Sequence, residues 1–252
     1  MKRISGLTVR LAMLVVIGAI VLALANIRVF AQAQTLPAPA TTADLQQLVA
    51  PIALYPDELV AQILAASTYP TQIVQADRWL QQHSTLRNEQ LAAAVDQQSW
   101  DSSVKALAAF PSVVSNMDRN LSWTTSLGEA YVNDRQDVLD AVQVMRKRAE
   151  DAGNLQSTSQ QRVSTEGSTI IIEPAVADTC YLPVYDPWIV YGAPIPVYPG
   201  YFYDPWYGGR ANPRFGFGFR SFGGGHAIRG FSGGGFRGRG FDGFRGGFGR
   251  HR

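Results

Sequence analysis

"LYPDELVAQILAASTYPTQIVQADRWL", residues Leu54 to Leu80, states one pattern twice. The pair Tyr55-Pro56 returns fourteen residues later as Tyr69-Pro70, and each pair leads through polar residues into an apolar doublet, Leu59-Val60 and then Ile73-Val74. Two tyrosines beside the carboxylates Asp57, Glu58 and Asp77 have the ingredients of an active site. Helix physics accounts for the same residues. Proline at the first position of a helix forfeits nothing, because that N–H has no intrahelical acceptor. Asp57 and Glu58 then fall in the first turn, against the positive end of the helix dipole. A residue before proline is held out of helical geometry, which puts Tyr55 and Tyr69 at the corners between helices. Fourteen residues make a helix of about three turns plus a connection, so the stretch predicts an αα-hairpin with Pro56 and Pro70 at first helical positions.

Helical grammar continues on both sides, from Asp44 to about Ala152. Its clearest instance is "DRQDVLDAVQVMRKRAEDA", Asp134 to Ala152, with an apolar stripe at Val138, Ala141, Val142, Met145 and Ala149. Asn133 is placed to cap it with Gln136 three residues on, and Gly153 to end it. Arg146, Lys147 and Arg148 read as positive charge complementing the C-terminal end of that helix. Asp101 is placed to cap "SSVKALAAF" and Pro111 to open "PSVVSNMDRNL", while Trp79, Trp100 and Trp123 read as core anchors.

Beyond Gly153 the pattern changes. Gln161–Ser164, Thr169–Glu173 and Cys180–Tyr185 predict three short strands of an antiparallel meander, with a turn at Gly167 and Cys180 as a small buried thiol. From Tyr181 to Tyr207 there are ten aromatics and six prolines, and YDPW occurs twice, at Tyr185–Trp188 and Tyr203–Trp206. Residues 207–252 hold seventeen Gly, nine Phe and nine Arg, a composition whose ordering entropy favours disorder.

The N-terminus has the three parts of a secretory signal peptide: basic Lys2, Arg3 and Arg10, a fifteen-residue apolar run from Leu11 to Ala25, and small Ala31 and Ala33. The run is shorter than the ~20 residues that span a bilayer. A cleaved leader (1–33) is the expectation, with an uncleaved inner-membrane anchor as the alternative, and both place the chain in the periplasm or cell envelope. A single cysteine excludes an internal disulfide framework. Net charge is divided. Residues 34–206 hold nine Lys or Arg against nineteen Asp or Glu, whereas 207–252 hold nine Arg against Asp242 alone.

Catalytic and metal motifs do not emerge. His83 precedes the tail and reads as exposed, His226 and His251 lie within the tail, and no pair has metal-ligand spacing. The formal GxGxxG at Gly238, Gly240 and Gly243 has neither the strand nor the helix that dinucleotide binding requires. No cofactor is expected. The YDPW residues Tyr185, Asp186, Trp188, Tyr203, Asp204 and Trp206 are the candidate ligand-binding set, since flat rings beside an acceptor suit sugars and proline-rich peptides. The bland alternative is that these rings pack a proline-rich arm against the helices. Arg237, Arg239, Arg245 and Arg250 are candidate contacts to an anionic surface. The tail resembles RNA-binding RGG segments, but export removes nucleic acid and leaves anionic head groups, acidic polymers or the acidic body itself.

"LVAPIALYPDELVAQILAASTYPTQIVQADRW", "WDSSVKALAAFPSVV", "LSWTTSLGEAYV", "DVLDAVQVMRKRA", "GNLQST" and "YLPVYDPWIVYG" occur in that order. Together they make the chain, from about Leu45 to Gly192, resemble the bacterial domain-of-unknown-function family 3300. The resemblance implies an exported bacterial protein with a helical domain, a short β segment and a variable C-terminus. It implies no activity and transfers no catalytic residue. Cys180 departs from it, since members more commonly have a β-branched aliphatic there.

The resulting expectation is an α+β chain, mainly α. It comprises an N-terminal signal helix (1–33), a linker (34–43), a domain of short helices with a C-terminal β meander (44–192), a Pro/aromatic arm (193–206) and a disordered tail (207–252). In function it is a non-catalytic envelope scaffold that presents the arm and tail to an envelope protein or an anionic membrane surface. The alternatives are a binder of cell-wall or capsular polysaccharide, and an enzyme using core carboxylates.

Overall fold

The computed structural model describes residues 41–176, 180–187, 189–196, 198–203 and 217–220. By its contacts the chain divides at Pro39 into Met1–Pro39 and Ala40–Arg252, and the description concerns the second unit. The predicted signal helix, Trp188, Asp204, Trp206 and the four candidate tail arginines lie outside the described residues.

The described chain is mainly helical: α1 Thr42–Val49, α2 Asp57–Ser67, α3 Pro70–Gln82, α4 Asn88–Asp96, α5 Ser102–Leu107, α6 Pro111–Arg119, α7 Leu121–Asn133 and α8 Arg135–Asp151. α1 begins inside the stretch read as linker, because Thr41 and Asp44 form a capping box. Pro70 and Pro111 open their helices as expected, and the Asp101 carboxylate accepts from the Ser103 amide at 2.9 Å. Pro56 stands one place earlier than predicted, as the N-cap of α2 with an extended ψ of 145°, so Asp57 is the first helical residue. Asp134, not Asn133, caps α8 through the Asp137 amide at 3.1 Å. α7 runs on through Asn133, and the chain turns one residue later than the sequence suggested. Gly153, at φ +74°, takes the left-handed step that ends α8.

α2 packs on α5 and α7, α3 on α6, and α1 on α7 and α8. α2 and α7 approach closely at Gly128, where a Cβ would stand 2.2 Å from the Ser67 carbonyl oxygen. Trp100 and Trp123 are buried as anticipated, and Trp79 is half-buried edge-on to Trp100. His83 is half-buried rather than exposed: its ring stacks on Trp79 at 4.1 Å and Nδ1 lies 2.8 Å from the Trp79 carbonyl.

The β segment departs from the meander. β1 Gln161–Glu166 and β2 Thr169–Pro174 form the expected antiparallel hairpin, with Val163 opposite Ile172. β3 Leu182–Tyr185 does not join it. It pairs antiparallel with β4 Phe217–Arg220, inside the region expected to be disordered. The sequence placed β3 correctly but assigned it the nearest preceding strand as partner. Glycine-rich composition concealed the strand that pairs with it.

The centre of the molecule is not a helix. Ala50 to Leu54, between α1 and α2, is irregular and fully buried. Buried carbonyls without a ladder need partners from elsewhere, and side chains supply them. Arg146 Nε donates to the Ala53 carbonyl at 2.9 Å, and a second guanidinium nitrogen to that of Tyr55 at 3.2 Å. The Tyr185 and Tyr191 hydroxyls both donate to the Ala50 carbonyl, at 3.0 and 2.6 Å. Trp123 Nε1 donates to the Leu48 carbonyl at 2.8 Å.

Candidate functional site

Arg146 is wholly buried, which corrects the reading of it as a helix-end charge. Besides the two loop carbonyls it donates to the Ile170 carbonyl at 2.8 Å and pairs with Asp57 at 2.6 Å. Asp57 also accepts from the Ile172 amide. Burial pushes the Asp57 carboxyl above its usual range, and Arg146 opposes that rise. A guanidinium with five fixed donors suits this node, which ties α8, α2, β2 and the central loop together. Only Lys147 and Arg148 of the basic cluster face water, and Lys147 pairs with Glu150 and Asp151.

Of the YDPW set, Tyr185 lies in the core, 4% exposed, edge-on to Tyr55 and Tyr191. Its hydroxyl also accepts from the Leu54 amide at 3.4 Å, and burial drives its pKa well above the ordinary tyrosine value. The ring therefore packs the arm rather than presenting a face. Asp186 is half-buried, and its carbonyl closes a turn with the amides of Ile189 and Val190. Tyr203 is half-buried near the end of the described arm.

The arm itself is docked on α6 and α7. Tyr201 packs edge-on against Trp123 at 5.2 Å and its hydroxyl accepts from Asn116 Nδ2 at 2.9 Å; burial pushes its pKa up to about 12. The Tyr198 and Ser126 hydroxyls meet at 2.8 Å. Asn120, 4% exposed, grips the backbone of Phe202 from both sides: its Oδ1 accepts the Phe202 amide at 2.6 Å and its Nδ2 donates to the carbonyl at 3.3 Å. An amide side chain thus acts as a neighbouring strand.

Side chains left accessible converge elsewhere. Ala65, Thr68, Tyr69, Asp101, Tyr131, Val132 and Arg135 line an open groove of about 480 Å³ where α2 ends, α5 begins and α7 passes into α8. Tyr69 is 40% and Val132 70% exposed, high values for side chains of their kind. The Arg135 guanidinium stands 4.8 Å over the Tyr131 ring. Burial pushes Asp101 up, but hydrogen bonds from Ser103, the Tyr69 hydroxyl and the Ser102 amide outweigh it and hold the carboxyl below its usual range. Asp101 is therefore a fixed anion. Tyr69 was visible in the sequence as a corner residue. Tyr131 and Arg135 are four apart but straddle a helix break, and nothing in the sequence marks Val132.

Asp77, the buried acid of the helical body, accepts hydrogen bonds from Gln81 and Ser115. Burial and neighbouring Asp118 push its carboxyl above the usual range. Among the described residues no cluster of His, Cys, Asp or Glu is arranged to hold a metal ion, and no helix is long and apolar enough to cross a membrane.

The family described as "Protein of unknown function (DUF3300)" matches residues 41–234. The chain belongs to that family. The DUF3300 match extends beyond Gly192 through the docked arm and β4, in keeping with an arm that is built into the helical body. The chain is 38% identical over 184 residues to "Uncharacterized protein YacH" of Escherichia coli (strain K12). That match covers 60% of this chain and 30% of the relative, so this DUF3300 chain matches less than a third of the relative's length. No solved structure matches the chain.

Proposed function

We propose that the chain is an exported, non-catalytic interaction module of the bacterial cell envelope. The helical body carries a contact groove, and the Arg-rich C-terminal segment supplies cationic contacts to an envelope protein or to anionic head groups. The groove carries this reading: helix ends hold two tyrosine rings, an aliphatic side chain and a guanidinium at the surface around a hydrogen-bonded carboxylate. Such a surface is suited to contacts with a partner. Export rests on the leader in residues 1–33, and the low-complexity reading of 207–252 belongs to the same proposal. Burial of Tyr185 leaves the polysaccharide alternative to Asp186, Trp188, Tyr203, Asp204 and Trp206.

Crosslinking in cells at native expression tests the proposal. Discrete adducts are expected in the envelope fraction, reduced several-fold by Tyr69→Ala combined with Val132→Ser. A chain that fractionates with the cytosol, or adducts indifferent to both substitutions, would contradict it.

A further inference from the structure

Side chains alone hold the end of the arm. Among the described residues, no backbone–backbone hydrogen bond joins residues 198–203 to the helices. The contacts come from one face: Asn116 on α6, Asn120 at the α6–α7 junction, and Trp123 and Ser126 on α7. The two amides orient each other, since Asn120 Nδ2 donates to Asn116 Oδ1 at 2.9 Å. Asn120 reads main chain, taking both the amide and the carbonyl of Phe202. That grip is indifferent to the side chain it holds, and the Phe202 ring stays 60% exposed. Asn116 and Ser126 read the hydroxyls of Tyr201 and Tyr198, and Trp123 meets the Tyr201 ring.

The bound segment has a shape of its own. The Tyr201 amide donates to the Tyr198 carbonyl at 2.9 Å, and Gly200 stands at φ +81°. With Pro199 ahead of that glycine, Tyr198–Tyr201 is a type II turn. Main-chain hydrogen bonds for affinity and side-chain contacts for specificity are the parts of a peptide-recognition site.

We propose that the α6–α7 face is a recognition site for the turn Tyr-Pro-Gly-Tyr-Phe, and that it takes this turn from a second copy of the chain in exchange for its own. Every copy carries the matching sequence, and the same contacts form within one chain or between two. Exchange of an identical element is a low-cost route to a dimer. Between buried Ile195 and the turn stands exposed Pro196, whose ring favours extended backbone. The site is separate from the groove and independent of export, so failure of either leaves it standing.

Two full-length variants and a peptide test it. Gly200→Val leaves the face intact but opposes the turn, because the position has open space and only its φ resists a side chain. A labelled peptide of residues 198–203 is expected to bind this purified chain saturably. It should bind the unaltered chain about tenfold more weakly, because the chain's own arm competes at high effective concentration. D-alanine at the glycine position, which takes positive φ readily, should tighten binding several-fold, and L-alanine should weaken it. Adding Ser126→Ala to the Gly200→Val chain should weaken binding several-fold. Absence of binding, or indifference to the hand of the alanine, would overturn the recognition site.

Asn120→Ala spoils the site and frees the arm, so it supplies a donor for the Gly200→Val acceptor. Mixed together, the two are expected to form heterodimers in size-exclusion chromatography with light scattering, while neither associates alone. Asn116→Ala with Ser126→Ala replaces the donor if Asn120→Ala loses its helical circular dichroism. Peptide binding without heterodimers would overturn the second copy in favour of another polypeptide bearing this turn. Association of either variant alone would place the contact elsewhere and overturn it as well.

Discussion

Arg146 shows how a charged side chain becomes structural. It interrupts the apolar face of α8, yet every donor direction that the structure records ends on a carbonyl or on Asp57. Breaking a buried pair by removing one partner strands the other and typically costs about 3–5 kcal/mol. Arg146→Met, which keeps the apolar stem, is expected to destabilise by that amount in urea unfolding, and a loss below about 1 kcal/mol would show that the node is dispensable. Asp77 makes the opposite case. Its carboxyl is pushed above the usual value by burial first and Asp118 second, so the folded state holds the proton more tightly than the unfolded chain does. That contribution is fully present below the ordinary carboxylate range near pH 4 and is lost as pH rises through the raised value. Asp77→Asn should therefore flatten the stability profile above about pH 4 and not weaken the protein at neutral pH. Lower stability at neutral pH would mean that the charge itself is needed. Sequence alone could not separate Arg146 from Lys147 and Arg148, because its partners are main-chain carbonyls of an irregular loop, which leave no side-chain pattern to read.

At the scale of elements, helix positions were legible because capping and proline chemistry are local. Asp101, Pro70, Pro111 and Gly153 act where expected, and the errors at Pro56 and Asn133 are single-residue offsets. Pairing was less legible. β3 finds its partner across more than thirty residues, where phenylalanine alternates with glycine from Phe215 to Phe219 but the surrounding glycine-rich composition masks so short a strand. The close approach of α7 to the end of α2 is also hidden. Gly128 looks like a weak point in a helix, yet it is what allows α7 to meet the end of α2, since a Cβ would collide with Ser67 backbone. Gly128→Ala trades a gain in helix propensity of about 1 kcal/mol against a clash whose typical cost is about 1–3 kcal/mol. With backbone as the obstructing group, the clash should win. A lower midpoint of thermal unfolding is expected, and a raised one would show that α7 can shift away.

At the scale of the molecule, the described residues of the stretch read as an arm (193–196 and 198–203) pack on α6 and α7. Tyr185, Tyr191, Tyr198 and Tyr201 spend their hydroxyls on Ala50, Ser126 and Asn116, and their rings on Tyr55, one another and Trp123. The sequence displayed these rings but not their destination, since aromatic-proline composition serves an exposed ligand platform and a docked strap equally well. The groove was less legible still, because its residues come from four elements that meet only after folding. If the domain is one cooperative unit, amides protected only by side-chain acceptors must open together with the helices. The Leu54, Ile172 and Phe202 amides, held by Tyr185, Asp57 and Asn120, are such reporters. Native-state hydrogen exchange of the full chain is expected to show these three amides opening with the same free energy as the core amides of α7. Exchange of Phe202 at the rate of an open chain, while α7 stays protected, would contradict the account.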